Sequence, residues 1–139
     1  VIVTIASGIV IFFLYSHLKK HWNLFLKFDA IGLGVFTIIG ATFAYNIFGL
    51  NFLAILLAGI LTAVGGGILR DIFVNQVPIV FVKEFYLSAS FIGIVIFSII
   101  LYFTDELYYA TIVGIVLTTS LRLIAMKYNW NLPKVKNTD

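Results

Sequence analysis

Three consecutive glycines, Gly65, Gly66 and Gly67, lie near the end of an apolar run, and Arg70 and Asp71 follow almost at once. Each glycine disfavours a helix by about 1 kcal/mol relative to alanine. A triplet inside a run of membrane length reads as a break or kink that frees backbone carbonyls. Such backbone is tolerated at membrane depth where it is buried in protein or lines a water-filled cavity. Freed carbonyls there are hard, neutral oxygen ligands suited to a monovalent cation, and those of Gly65 and Gly66 are the candidates. The competing reading is close packing. Gly59, Ala63 and Gly67 stand at four-residue spacing, the pattern that lets membrane helices approach closely.

The preceding apolar run offers a matching surface. Ala30, Gly34, Thr37 and Ala41 form a small-residue face at helical spacing, and Thr37 puts a hydroxyl on it. Thr62 supplies a second hydroxyl. Two such helices joined by a tight uncharged turn are expected to pack antiparallel, with hydroxyls and kink carbonyls facing one gap. For each threonine alone, the alternative is a hydroxyl bonded back to its own helix. The charged candidates are Asp29, Arg70, Asp71, Lys83 and Glu84, which with Arg122 fall at or just inside the segment ends. They read as pore-mouth or snorkelling groups, and Lys83-Glu84 with Lys19, Lys20 and Lys27 suits a lipid phosphate. No charge falls in the middle of a segment, which argues against a buried proton relay and a voltage sensor. His17 and His21 share a basic loop without a nearby carboxylate, so no resident metal is expected there. No nucleophile–base set, phosphate loop or dinucleotide pattern occurs, so neither an enzyme nor a cofactor is expected.

These residues must be held by membrane helices. The 139 residues are 62% hydrophobic and 11% charged, with a mean hydropathy of +1.12. Soluble domains are about half apolar and about a quarter charged. Charges fall in clusters between apolar runs long enough for a helix to cross about 30 Å of hydrocarbon, and the runs do not alternate as barrel strands would. One all-α transmembrane domain over 1–126 is expected, with segments near 1–18, 29–48, 52–69, 83–103 and 107–126. A polar cytoplasmic tail, 127–139, follows. There is no cysteine, and the net charge of +3 comes from residues at segment ends. This is topology information and points to membrane lipids, not nucleic acid, as partner. Lysine and arginine alternate across the short loops so that the C-terminus is expected on the cytoplasmic side. Val1 already lies inside an apolar run, so part of the natural N-terminal region is expected to be absent.

One internal echo sets the architecture. Gly8-Ile9-Val10-Ile11-Phe12 recurs as Gly93-Ile94-Val95-Ile96-Phe97, each after an Ala-Ser pair. The two segments are three spans apart and cross in opposite senses, as in an inverted-topology repeat. A polytopic bundle of two inverted three-helix repeats plus one helix is therefore expected, with the first two helices missing from this chain.

From Asp29 to Met126 the sequence resembles the trimeric intracellular cation (TRIC) channel family in its prokaryotic branch. The residues that carry the resemblance are Asp29 through Ala41, Gly59 through Asp71 with its glycine triplet, Pro78 and Lys83-Glu84. The resemblance implies seven helices, a homotrimer, and in each subunit a pore for K⁺ and Na⁺ lined by glycine-kinked helices. It places Gly65, Gly66 and Gly67 at one kink. It also sets Lys83-Glu84 where animal members engage an anionic lipid headgroup. A potassium or sodium channel in a cell membrane is the leading expectation. A secondary transporter of a small solute such as an amino acid is the alternative.

Overall fold

The computed structural model describes residues 22–73 and 85–128. The expected first segment, the first copy of the echo, His17, His21 and nearly all of the tail lie outside those residues. Four helices follow in order: α1 (Trp22–Phe48), α2 (Phe52–Phe73), α3 (Phe85–Thr104) and α4 (Leu107–Lys127). Each contains a stretch long and apolar enough to cross a membrane. At 27 residues, α1 extends to about 40 Å and outreaches a hydrocarbon core of about 30 Å. It starts seven residues before Asp29, and Lys27 is exposed on it.

Local chemistry sets the turns. Gly49 takes the left-handed conformation, φ +62°, and its N–H donates to the Tyr45 carbonyl at 2.9 Å, which closes α1 as glycine at this position commonly does. The Asn51 side chain accepts the Ala54 N–H at 3.2 Å and so caps α2. Between α3 and α4, Thr104 donates to the Ile100 carbonyl at 2.8 Å and accepts the Glu106 N–H at 3.3 Å. The Tyr45 hydroxyl donates to Asp105 at 3.4 Å, which ties the two turns together at one end of the bundle. Thus α1 and α3 run one way, and α2 and α4 run back.

Helix α1 touches all three of its neighbours, and α3 packs on α2 and α4. The buried side chains form two apolar layers. Ile38, Ala41, Ile55, Ile94, Phe97 and Leu101 lie toward the turn end, and Leu33, Ala63, Val64, Tyr86 and Ala89 lie toward the other. Phe43, Leu61 and Phe103 are among many large apolar side chains left exposed, as suits a bundle whose solvent is hydrocarbon. The expected all-α membrane bundle is what the chain forms.

A break at the glycine triplet, one of the two expected forms, does not occur. Helix α2 is continuous from Phe52 to Phe73 and passes through Gly65, Gly66 and Gly67 without interruption. The physical reason is the cost of the alternative. An unmade backbone hydrogen bond in an apolar medium costs several kcal/mol, more than the roughly 1 kcal/mol by which a glycine disfavours helix.

Candidate functional site

Thr37 is fully buried at the centre of the bundle. Its Oγ1 lies 2.6 Å from the Leu33 carbonyl oxygen and 3.0 Å from Ser90 Oγ on α3. A hydroxyl has one proton. With the shorter contact to Leu33 taking it, the Ser90 proton completes the second bond. The back-bonded reading of Thr37 therefore holds, with a second bond to α3 beside it. Bare backbone lets the helices come this close. A Cβ on Gly59 would lie 2.9 Å from the Thr37 carbonyl oxygen and 2.7 Å from Ile94 Cδ1. A Cβ on Gly93 would overlap Thr118 Oγ1, whose hydroxyl donates to the Gly114 carbonyl at 2.8 Å. Gly59 and Gly93 are thus packing glycines around a buried layer of hydroxyls.

The glycine triplet is different. Among the described residues, a Cβ on Gly65 or Gly66 would meet nothing within 4 Å, and Gly66 is exposed while Gly65 and Gly67 are half-buried. Thr62, one turn earlier, is also exposed and rests against Gly40 of α1, where a Cβ would come 2.6 Å from its Oγ1. With Gly59 opposite Thr37, the antiparallel register sets Gly66 level with Ala30, about 10 Å along the axis from Thr37. The expected single gap is accordingly not formed among the described residues. Thr37 turns to α3, whereas Thr62, Gly65 and Gly66 lie along an outward lane of α2. The reason is the crossing itself, which consumes Gly40 and Gly59 in backbone contact and leaves the triplet beyond it.

The candidate charged residues cluster at the end away from the turns. Arg122 does not snorkel. It is 2% exposed, and its Cζ sits 4.8 Å from the centre of the Tyr86 ring. The charge of Asp29 acts on it from α1. Asp71 of α2 is 4% exposed, so it too is enclosed by the protein. Arg70 lies in α2 just before it. Lys83 and Glu84 lie outside the described residues, so the headgroup expectation is not addressed by the geometry. Among the described residues, Arg122 Nε and Nη2 and Thr119 Oγ1 are buried and have no hydrogen-bond partner.

Ser90, Thr118 and Arg122 escaped the sequence reading as site residues. A signal for two of them was present. Ala110, Gly114, Thr118, Arg122 and Ala125 are the buried positions of α4. Small residues at that spacing mark an inward face, and a guanidinium on the same stripe must point into the bundle.

Four apolar helices crossing on glycines around a hydroxyl layer define a polytopic α-helical membrane protein, and its architecture has a solved counterpart. A structure published as "Structural basis for conductance through TRIC cation channels" matches with a TM-score of 0.84 and 34% sequence identity, covering 96% of this chain and 66% of that one. The TRIC resemblance drawn from residues 29–126 is borne out. A family model described as "Glycine transporter" matches residues 26–102, and the chain belongs to that family. Among its relatives is an Escherichia coli K12 protein, "UPF0126 inner membrane protein YadS", 36% identical over 106 residues, or 76% of this chain and 51% of the relative. "UPF0126 membrane protein YvgT" of Bacillus subtilis 168 is 33% identical over 133 residues, or 94% of this chain and 63% of the relative. The chain thus spans between half and two thirds of the length of these relatives.

Proposed function

We propose that the whole protein is a passive channel for monovalent cations, K⁺ or Na⁺, and that α2 supplies one wall of the path. The observation that carries this reading is the likeness to a solved TRIC cation channel at 34% identity and a TM-score of 0.84. The outward lane of Thr62, Gly65, Gly66 and Gly67 is the wall, with Thr37 bonded behind it. A helical carbonyl keeps a second lone pair, and the missing Cβ atoms at Gly65 and Gly66 leave that lone pair open to an ion. Asp29, Arg70 and Asp71 set the charge at the mouth, and Lys83 and Glu84 meet a lipid headgroup. The assembly is a homotrimer in the cell membrane, each subunit carrying its own pore and inverted repeat, with the C-terminus cytoplasmic. Single-channel recording of the full-length protein in planar bilayers under a K⁺ gradient tests it. Unitary currents reversing near the K⁺ potential are expected. A silent bilayer containing correctly folded protein overturns the reading.

A second reading is a carrier for glycine, favoured by the description of the family model that matches 26–102. Inverted repeats serve alternating access as well as conduction. Saturable uptake of radiolabelled glycine into proteoliposomes, with no unitary current, would put this reading in place of the first.

A further inference from the structure

The Arg122 guanidinium is an unusual object in this bundle. It is 2% exposed, and of its nitrogens Nε and Nη2 are enclosed without a hydrogen-bond acceptor among the described residues. Those two atoms share one edge of the planar group, the edge whose parallel N–H bonds fit the two oxygens of a carboxylate. The other edge is not what is left open. Thr119 Oγ1, one turn earlier on α4, is likewise buried without a partner and lies against the backbone of Gly34 on α1. Among the described residues, three donors without acceptors therefore lie along one α1–α4 seam. A buried charged donor is far costlier to leave unmatched than a neutral one.

The charge around the fork narrows the ligand. Asp29 comes from α1 at the same level, and its charge acts on Arg122. One guanidinium and one carboxylate are neutral together. A bare carboxylate bound at the fork would leave an excess negative charge inside a membrane protein, which is costly. A zwitterion brings its own positive charge and adds none. The face of the Tyr86 ring is taken by the guanidinium itself, with Arg122 Cζ 4.8 Å from the ring centre, which leaves Asp29 to meet that second charge.

We propose that Arg122, with Thr119 beside it, is the carboxylate-binding point for a small zwitterionic amino acid, with Asp29 on its ammonium side. This site rests on the carrier reading for its ligand class and on nothing else in that reading. It stands equally as a regulatory site of a channel.

The test is equilibrium binding to the purified full-length protein in detergent, followed by calorimetry with glycine, acetate and methylammonium. Glycine is expected to bind, acetate to compete at least tenfold more weakly, and methylammonium not to compete. Arg122→Lys keeps the charge and loses the fork, so it should weaken glycine at least tenfold. Absence of glycine binding at millimolar concentration overturns the site, as does equal affinity in the lysine variant. Should that variant misfold, the ligand series on the unaltered protein decides, because methylammonium competing as well as acetate places recognition away from Arg122. Binding without uptake removes the carrier reading and keeps the site. Uptake unaffected by Arg122→Lys keeps the carrier and removes the site.

Discussion

Replacing Gly66 with leucine separates a glycine that lines a path from one that packs helices. At Gly66 an added Cβ meets nothing within 4 Å among the described residues. The bundle thus accepts the side chain, and the helix gains close to the full propensity difference, about 0.8–1 kcal/mol. The melting temperature of the full-length protein in detergent should hold or rise by a few degrees. Conduction should move the other way. A leucine over the backbone of α2 screens a carbonyl oxygen from a passing ion. The loss of one charge-assisted oxygen contact is worth about 1.5–3 kcal/mol, roughly ten- to hundredfold in unitary conductance. Gly59→Leu is the contrast. Its Cβ would sit 2.7 Å from Ile94 Cδ1 and 2.9 Å from the Thr37 carbonyl oxygen, so the variant should lose about 3 kcal/mol or more and melt early. The assay pairs melting with bilayer recording on both variants. Unchanged conductance in Gly66→Leu would falsify the lane, and melting as low as that of Gly59→Leu would make Gly66 a packing glycine after all.

Three further outcomes follow from the same geometry. Gly93→Ala drives a methyl into Thr118 Oγ1 and should cost about 1–3 kcal/mol. Thr118→Ala should restore most of it, read as a coupling energy in a double-mutant cycle of melting temperatures. Ser90→Ala removes the interhelical partner of Thr37, which keeps its 2.6 Å bond to the Leu33 carbonyl, so the loss should stay near 0.6 kcal/mol, the average for such bonds in membranes. A drop of several kcal/mol would show that Ser90 carries more than this bond. Gly49→Ala places a side chain at φ +62° and should cost about 1–2 kcal/mol. An unchanged melting temperature would mean that the α1–α2 turn relaxes freely.

The four described helices were legible in advance because the hydrocarbon demands one thing of every span: about 20 apolar residues with all backbone bonds made internally. That demand is local and written in composition. The same demand defeats the reading of Gly65, Gly66 and Gly67 as a break, since propensity measured in water loses to hydrogen bonding in an apolar medium. The small face of α1 was also legible, because Ala30, Gly34, Thr37 and Ala41 recur with the helical period, and all four are buried.

Which small residue meets which helix was not legible. Gly59 and Gly66 stand seven residues apart on one helix and look equivalent as letters. One is pressed against a carbonyl, and the other faces outward, because the α1–α2 crossing falls at Gly40 and Gly59. Arg122 makes the same point for charge. Its distance from the end of α4 allows snorkelling, and only the packing of α1 and α3 against that face closes it off beneath Tyr86. Sequence by itself therefore determined the solvent, the spans and the TRIC resemblance, all of which depend on residue types along the chain. Tertiary structure alone decided which glycines pack, which lie open, and where a buried guanidinium keeps an unfilled edge, because those depend on contacts between residues far apart in sequence.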